Sequence, residues 1–149
     1  DWLWIRPCYV YGPGDVQSRL IPYLVKKFVN NENVVLDDCE SIVDYMYIDD
    51  FVEQTVALIE GNSKGVFNLC SGKQYKIKHI VLSIHDLLES RSLIDFDRSI
   101  NRVSVSSFVC GNPKKTLTKT GLALKIGLED GLEKTTKFYR DLYEKLSNN

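Results

Sequence analysis

Few residues of this chain have the types and spacing that enzymes use for chemistry. Tyr23 lies four residues before Lys27, a spacing that places both side chains on one face of a helix. Such pairs are frequent on helices by chance, and Lys27 is expected to be solvated, so no catalytic residue is assigned. His79 and His85 fall in one expected helix without a cysteine or carboxylate cluster, and we interpret both as structural or solvated.

The four cysteines lie far apart in the sequence, at positions 8, 39, 70 and 110. No two of them have the close spacing of a zinc site or a redox motif. The disulfide framework of a small secreted domain would also be denser. We therefore expect reduced, mostly buried thiols in a reducing cytoplasm, and no metal site.

The composition excludes several classes of function. The 149 residues fit one ordinary domain, with 44% hydrophobic and 26% charged side chains, as in a globular protein. The net charge of −1 and the lack of a Lys/Arg cluster give no basis for nucleic-acid binding. No apolar run approaches the ~20 residues of a membrane span, and the first residues show no signal-peptide pattern. We expect a cytoplasmic protein with neither a nucleic-acid nor a membrane partner.

A glycine-containing turn and an arginine are the first candidates for ligand contact. Gly12 and Gly14 flank Pro13, and their missing side chains allow the backbone to approach a ligand closely. Arg19 follows the turn, and its planar guanidinium suits phosphate by charge and by its multiple donors. Taken alone, the turn fits a plain strand end better, and Arg19 fits a solvated charge.

The hydrophobic pattern predicts strands separated by helices, which indicates an α/β fold. Strands are predicted over residues 2–11, 33–36 and 66–70, with further strand character at 103–109. Only three or four strands are thus expected, while the helical faces are more apolar than so small a sheet needs. This surplus suggests a missing neighbour, and a small α/β domain that dimerises is the alternative.

Apolar side chains recur at helical spacing in several segments of the chain. Helices are predicted over about residues 21–28, 49–59, 77–88 and 113–120, and from 128 onward. The second helix is expected to begin with Asp49 as its N-cap and to bury Val52, Val56 and Ile59. Gly121 is expected to close the fourth helix.

Six segments occur in the order that a known family shows. They are RPCYVYGPGD at 6–15, RLIP at 19–22, DYMYIDD at 44–50, GVFNLCSG at 65–72, NPK at 112–114 and GLEDGL at 127–132. Together they resemble the C-terminal half of the extended short-chain dehydrogenase/reductases, the NAD-dependent nucleotide-sugar epimerases and dehydratases. The resemblance implies the C-terminal portion of an NAD(P)-binding Rossmann-like fold, with few strands and flanking helices.

The resemblance also assigns a nucleotide-sugar substrate and its contacts. Such enzymes commonly pair through helices, which makes a homodimer an option. Cofactor contacts are implied for Tyr11, Gly12 and Pro13, where cofactor and sugar meet in the family. Substrate contacts are implied for Tyr9, Arg19, Leu20 and Arg102, with Val34, Val35 and Leu36 near the nucleotide base.

The chain departs from the family pattern at four positions. Tyr9 and Val43 stand where the family has an asparagine and an arginine for the diphosphate, and Ser107 replaces another arginine. Leu122 replaces a tryptophan. Losing up to three polar contacts would weaken diphosphate binding, since each charged hydrogen bond contributes roughly 1.5–3 kcal/mol. Either the substrate is held differently, or this copy has drifted from the usual ligand.

The family's dinucleotide-binding and catalytic segments do not match this sequence. None of the nine glycines forms a glycine-rich turn for a pyrophosphate, and the family's Tyr/Lys pair precedes the first strand seen here. We expect residues 1–149 to be the substrate-binding portion of an epimerase or 4,6-dehydratase, with the N-terminal cofactor-binding portion absent. The full-length enzyme would use NAD or NADP, whereas this chain alone would bind neither and be inactive.

Two other functions stay open from the sequence. One is a keto-sugar reductase of the same family, which would deliver hydride once. The other is a non-catalytic module that binds sugar nucleotides or a protein partner, and it is favoured by Tyr9 and Val43.

Overall fold

The computed structural model describes residues 2–100 and 107–147 of the chain. These residues form five helices and nine short strands. The helices are α1 (Leu20–Val29), α2 (Ile48–Glu60), α3 (Ile77–Leu87), α4 (Lys114–Thr120) and α5 (Leu128–Ser147). The strands are β1 (Leu3–Pro7), β2 (Tyr9–Tyr11), β3 (Val34–Leu36), β4 (Ile42–Val43), β5 (Tyr45–Tyr47), β6 (Gly65–Leu69), β7 (Tyr75–Lys76), β8 (Ile94–Phe96) and β9 (Phe108–Val109).

Within the described residues the strands pair mostly in parallel, in four small sheets. β1 pairs with β6, β2 with β5 and β3 with β8, all in parallel. β4 lies between β7, which is antiparallel to it, and β9, which is parallel. The predicted α/β class is confirmed, whereas the expectation of three or four strands is wrong. The additional strands have only two or three residues each, too few for a hydrophobic pattern to show.

The segment predicted as one strand over residues 2–11 forms two strands. β1 runs beside β6 as far as Pro7, which lies opposite Leu69. The Cys8 amide still donates to the Leu69 carbonyl at 3.0 Å, but the Tyr9 amide donates to the Asp44 carbonyl at 3.1 Å. The chain therefore changes its neighbour between residues 8 and 9, and β2 continues beside β5. The prediction of a single strand is wrong because a hydrophobic pattern does not record which neighbour a residue pairs with.

Three helices enclose the main hydrophobic core. α1, α3 and α5 contact one another. Leu24, Val25, Ile80, Ile84 and Leu132 lie between them and are 0% exposed. The helical spacing that predicted α1 and α3 is thus confirmed, since the apolar positions of both helices point into this core.

The start of α2 differs from the prediction. Tyr47 rather than Asp49 occupies the N-cap position, and no side chain caps the helix there. Asp49 lies in the first turn, where its charge is favourable near the positive end of the helix dipole. The neighbouring Asp50 carboxylate accepts hydrogen bonds from the Lys125 and Ile126 amides, both at 3.0 Å. Asp49 as the N-cap is therefore wrong, and Asp50 connects α2 to the segment before α5.

The buried face of α2 is also different from the predicted one. Val52, Val56 and Ile59 are 49%, 44% and 59% exposed, so the prediction that they form the core face is wrong. The helix contacts β6 and α4 and buries Gln54 and Leu58. Apolar residues occur on more than one side of this helix, and the contact with β6 decides which side is buried.

The two C-terminal helices agree with the sequence pattern. α4 is closed by Gly121, whose φ of +70° is the left-handed conformation typical of a helix end. Leu132, Thr135 and Tyr139 lie on the buried face of α5, whereas Leu146 near its end is exposed. In the part of the chain that is described, no helix is both long and apolar enough to cross a bilayer.

Gly131 in α5 packs directly against the aromatic side chains of β2 and β5. A Cβ on this residue would lie 2.8 Å from Tyr11 Cζ and 2.9 Å from Tyr47 Cδ2. We expect Gly131→Ala to lower the free energy of unfolding by up to about 2 kcal/mol, because an overpacking cost of about 1–3 kcal/mol outweighs the roughly 1 kcal/mol gain in helix propensity. Urea denaturation measures the change, with Glu133→Ala at an exposed position of the same helix as the control. Equal or higher stability of Gly131→Ala would contradict the close packing.

Candidate functional site

Three adjoining cavities lie beside β2, the turn that follows it and the start of α1. The inner cavity has a volume of about 130 Å³, the middle one about 110 Å³ and the outer one about 240 Å³. Tyr9, Leu20 and Tyr45 line both the inner and the middle cavity. Asp15 and Arg19 line both the middle and the outer cavity. Because they share these residues, we treat the three cavities as one site and call it the cleft.

The floor of the cleft is set by the parallel pairing of β2 with β5. Tyr9 lies opposite Tyr45, and Tyr11 lies opposite Tyr47. The Tyr9 and Tyr45 rings are therefore side by side, with their centroids 5.4 Å apart. Burial, followed by the nearby Tyr9, raises the pKa of Tyr45 above its usual value. The Tyr45 hydroxyl thus stays protonated and can donate or accept a hydrogen bond.

Two tyrosine hydroxyls connect the cleft to α5. The Tyr11 hydroxyl donates to the Leu128 carbonyl at 3.1 Å, and the Tyr139 hydroxyl donates to the Asp15 carbonyl at 2.8 Å. Burial is the largest cause that raises the pKa of each of these two tyrosines. The last helix therefore fixes both the strand before the turn and the residue after it.

The turn between β2 and α1 presents its backbone to the outer cavity. Gly14 has a φ of +85°, which L side chains rarely adopt, and a Cβ there would meet nothing within 4 Å. Gly12 packs so closely against Ile48 that a Cβ would collide with that side chain. The Asp15 amide closes the turn on the Gly12 carbonyl at 3.4 Å. Glycine is needed at position 12 for packing and at position 14 for conformation.

Arg19 places a guanidinium at the mouth of the cleft. Its Nη1 lies 3.5 Å from the Asp15 carboxylate and donates to the Val10 carbonyl at 3.4 Å. The Arg19 side chain is 55% exposed, so its other N–H donors face solvent. An exposed ion pair of this kind contributes little to stability. The guanidinium can therefore exchange Asp15 for another anion at small cost.

The inner cavity is lined mainly by apolar and aromatic side chains, and Asp37, Cys39 and Ser41 are the polar residues in its described lining. Leu36 and Val43 are 3% and 1% exposed, and they line it together with Tyr9, Tyr45 and Ile77. None of the described residues that line this cavity is a cation. Such a surface suits a ring or another apolar part of a ligand better than it suits a phosphate.

Beneath the cleft, Asp44 is a fully buried carboxylate surrounded by hydrogen-bond donors. Its Oδ1 accepts from the Ser71 amide and hydroxyl at 2.8 and 2.7 Å. Its Oδ2 accepts from the Gly72 amide at 2.8 Å and from the Gly111 amide at 3.3 Å. The sequence includes Asp44 in a motif but does not reveal these partners, because they lie between 27 and 67 residues away.

Three of the cysteines meet at this carboxylate. The side-chain ligand atoms of Cys8, Asp44 and Cys70 all lie within 4.8 Å of one another. Cys110 Sγ lies 3.7 Å from Asp44 Oδ2. The four cysteines are free thiols in this structure, and two of them are buried and two half-buried. The clustering was missed because cysteines from three distant segments carry no common spacing.

Other residues considered for chemistry have contacts away from the cleft. Lys27 forms an ion pair with Glu32. His85 Nε2 lies 3.1 Å from the Ser92 carbonyl, and its ring packs edge-to-face against Phe28. These contacts agree with the structural interpretation of His85 and with the surface position expected for Lys27.

A larger groove of about 740 Å³ lies between β6 and α4. Lys115 Nζ and the Thr116 hydroxyl donate to the Val66 and Asn68 carbonyls at 2.7 and 2.6 Å. These two side chains therefore cover the outer edge of β6, which would otherwise be unpaired. The described lining of the groove contains none of the predicted ligand residues, and we interpret the groove as part of the packing of α4 on β6.

A protein-family model matches the N-terminal part of this chain. The model of the NAD dependent epimerase/dehydratase family matches residues 1–70, which contain β1, β2, the turn and Arg19. The resemblance to this family is confirmed.

Curated relatives in the epimerase/dehydratase group are about twice as long as this chain. The chain is 27% identical over 140 residues to CDP-abequose synthase from Salmonella muenchen. It is 26% identical over 135 residues to dTDP-4-dehydro-6-deoxyglucose reductase from Escherichia coli. Each match covers 87% of this chain, but only 45% and 42% of the respective relative. The chain thus spans less than half the length of these relatives.

A solved structure shows the same fold. UDP-glucuronic acid 4-epimerase from Bacillus cereus, in complex with UDP-glucuronic acid and NAD, superposes with a TM-score of 0.81 at 23% identity. The superposition covers 93% of this chain and 45% of the epimerase. The predicted relation to the Rossmann-like α/β fold of the family is therefore confirmed.

Most residues that the family resemblance assigned to ligands line the cleft. They are Tyr9, Gly12, Pro13, Arg19, Leu20 and Leu36. Tyr11 borders the outer cavity, but its side chain is buried in the core, so a ligand can reach only its backbone. The binding roles of these residues stay predictions.

Only one of the three β3 residues that were predicted to lie near the nucleotide base lines the cleft. Val34 is buried in the core, and Val35 is 56% exposed on the opposite side of the strand. Only Leu36, at the end of β3, lines the inner cavity. The alternation of side chains along a strand prevents all three residues from facing one ligand. Arg102 lies outside the described residues.

Two of the four departures from the epimerase/dehydratase pattern lie in the cleft. Tyr9 and Val43 both line the inner cavity. The resemblance implies phosphate contacts at these positions, and the structure has an aromatic ring and an apolar side chain there. Among the described residues that line the cleft, Arg19 at the other end is the cation that could contact a phosphate.

The buried carboxylate provides a test of how this site is held together. In Asp44→Asn, an amide N–H would face one set of backbone donors, and those donors would lose their acceptor. We expect the free energy of unfolding to fall by about 2–4 kcal/mol, measured by urea denaturation. Asp86→Asn, whose native side chain is 83% exposed, is the matched control. Equal stability of both variants would mean that the Asp44 contacts are not required for the fold.

Proposed function

We propose that this chain forms the nucleotide-sugar-binding part of an NAD(P)-dependent enzyme of the epimerase/dehydratase family. The observation that carries the proposal is the cleft, in which the glycine turn, Arg19 and an aromatic inner cavity follow one another. The proposed order is cofactor at the turn, phosphate at Arg19 and an apolar part of the substrate in the inner cavity. The name of the Bacillus cereus neighbour, which binds both UDP-glucuronic acid and NAD, supports this assignment.

Arg19 is proposed as the phosphate contact. Its guanidinium carries donors that face solvent, and its present partner Asp15 is held only at 3.5 Å. A phosphate would offer shorter, charge-assisted hydrogen bonds to the same planar group. Tyr9 and Tyr45, side by side at the inner end, are proposed to contact a ring of the ligand.

The residues of this chain fit only one end of a dinucleotide. Gly12 and Pro13 line the outer cavity, and at Gly14 a Cβ would meet nothing within 4 Å, so the backbone there is accessible. The nine glycines form no glycine-rich turn for the pyrophosphate. We propose that the remaining contacts come from a cofactor-binding portion N-terminal to residue 1. When bound, NAD(P) would supply or accept a hydride.

The edge of β1 supports this division into two portions. Within the described residues β1 pairs with β6 only, so its other edge carries unpaired backbone groups. Trp2 and Trp4 beside that edge are 61% and 60% exposed. A neighbouring parallel strand from the proposed cofactor-binding portion would pair the edge and cover part of this apolar surface.

The phosphate role of Arg19 is tested by equilibrium binding. We expect Arg19→Ala to weaken the binding of dTDP-, CDP- or UDP-sugars by about 10-fold or more, because a charged hydrogen bond is lost. Binding of the corresponding unphosphorylated nucleoside should change little. Arg91→Ala, at an exposed arginine on the segment before β8, is the control. Equal losses for nucleoside and nucleotide sugar would contradict a phosphate contact.

The proposal of a separate cofactor-binding portion is tested by measuring hydride transfer by this chain alone. We expect the purified 149-residue chain to transfer no hydride between a nucleotide sugar and NAD(P), because it lacks the dinucleotide turn. Cofactor absorbance measures the reaction. Turnover by this chain alone would contradict the proposal of a separate cofactor-binding portion.

The reaction class has two candidates. Epimerisation or dehydration returns the hydride to the sugar, so NAD(P) is not consumed overall. A keto-sugar reductase consumes one NAD(P)H for each product, and the name of the Escherichia coli relative favours this class. In the longer protein, net NADPH oxidation with a 4-keto sugar nucleotide would select the reductase, and product formation without net oxidation would select the epimerase or dehydratase. Binding without either reaction would leave a non-catalytic module, which Tyr9 and Val43 in the inner cavity favour.

A further inference from the structure

Two of the clustered cysteines lie at neighbouring positions where the parallel strands β1 and β6 end. Pro7 and Leu69 are the last register pair of the parallel strands β1 and β6, and Cys8 and Cys70 follow them directly. The Cys8 amide continues the ladder by donating to the Leu69 carbonyl at 3.0 Å. Neighbouring strands lie about 4.8 Å apart, which falls within the Cα separation of about 4.4–6.8 Å that disulfides require.

The two sulfur atoms also face the same small space. The Cys8 and Cys70 sulfur atoms lie within 4.8 Å of each other. A Cβ on Gly111 would lie 2.5 Å from Cys70 Sγ and 3.0 Å from Cys8 Sγ, so both sulfurs pack against this one glycine. Formation of a disulfide would require the two sulfurs to approach to the bonding distance of about 2.05 Å.

The contacts of the neighbouring carboxylate argue for a disulfide rather than a metal site. A thiolate metal centre here would require Asp44 as its oxygen ligand. Both Asp44 oxygens already accept short hydrogen bonds from Ser71 and Gly72. A metal ion would have to displace these donors, whereas a Cys8–Cys70 bond leaves all of them in place.

We propose that Cys8 and Cys70 are a redox modification site that forms a reversible intramolecular disulfide. With a peroxide as oxidant, the Cys8 sulfur attacks the O–O bond, takes one oxygen as a sulfenic acid and releases water. The Cys70 thiol then attacks the sulfenic sulfur, forms the S–S bond and releases a second water. Two thiols and one hydrogen peroxide thus give one disulfide and two waters, and a dithiol reductant reverses the change.

The solvent exposure of the two cysteines indicates which thiol reacts with the oxidant and which one resolves the sulfenic acid. Cys8 is half-buried and can be reached by a small oxidant, whereas Cys70 is fully buried and acts as the resolving thiol. Burial, followed by the Asp44 charge, raises the pKa of Cys8 and raises that of Cys70 to about 12. Since the thiolate is the reactive form, oxidation is expected to be slow compared with that of a dedicated peroxide sensor.

The disulfide would join the two places where the chain turns away from β1 and β6. Cys8 immediately precedes Tyr9 of the cleft, and Cys70 immediately precedes the Ser71–Gly72 corner held by Asp44. A covalent link closes the chain from residue 8 to residue 70 and restricts the unfolded state. The oxidised protein should therefore have a higher Tm than the reduced protein.

The test is oxidation of the purified, fully reduced protein with hydrogen peroxide or diamide. We expect two of the four thiols to be lost, counted with a thiol reagent after denaturation, and restored by dithiothreitol. Peptide mapping by mass spectrometry without reduction should give one cross-linked peptide that contains Cys8 and Cys70. The Tm should rise on oxidation in the native protein.

Variants separate this pair from the other thiols. Cys8→Ser and Cys70→Ala should each abolish the cross-linked peptide and the rise in Tm, and Cys39→Ser, outside the cluster, should retain both. Circular dichroism checks that each variant is folded. Cys8→Ser is the milder of the two changes, because Cys8 is half-buried whereas Cys70 is fully buried. No loss of thiols in the native protein, or a cross-link that includes Cys110 or Cys39, would overturn the proposal.

Discussion

The buried carboxylate of Asp44 is the contact on which the centre of this structure depends. It links the segment between β4 and β5 to the Ser71–Gly72 corner after β6 and to Gly111 before α4. A buried charge is tolerated only when its lone pairs are used, and here backbone amides and a hydroxyl use them. The Asp44 carbonyl also accepts the Tyr9 amide, so the start of β2 is placed by the same residue. Asp44 thus positions both the inner end of the cleft and the thiol cluster.

The other side of the cleft is placed by α5. The hydroxyls of Tyr11 and Tyr139 bond across 117 and 124 residues of sequence, to the start of α5 and to the turn. Gly131 allows α5 to approach β2 closely enough for these bonds. The absence of a side chain at Gly131 therefore allows α5 to hold β2, the strand that carries Tyr9. Hydrogen bonds thus hold the cleft at both ends, which favours preorganised binding.

The charge distribution of the cleft is uneven. Arg19 supplies a cation at the outer end, where it is paired with Asp15, while the inner cavity is lined by Tyr9, Val43 and Leu36. A ligand with an anionic middle and an apolar or aromatic end fits this distribution. Arg19 is the one cation among the described residues that line the cleft, so burial of ring surface would supply much of the binding free energy.

The sequence by itself determined the long periodic elements and the order of the motifs. The spacing of apolar residues predicted helices α1, α3 and α5 and strands β3 and β6. This is possible because burial against any neighbour requires the same spacing of apolar side chains. The motifs from RPCYVYGPGD to GLEDGL indicated the family, and five of the motif residues predicted to contact a ligand line the cleft together with Leu36.

Only the tertiary structure decided which face of α2 is buried, where the first strand changes its partner and which of Val34, Val35 and Leu36 meets the cleft. It alone brought Cys8, Cys70 and Cys110 to Asp44. Each of these depends on contacts between residues far apart in the chain, and such contacts leave no local pattern in the sequence.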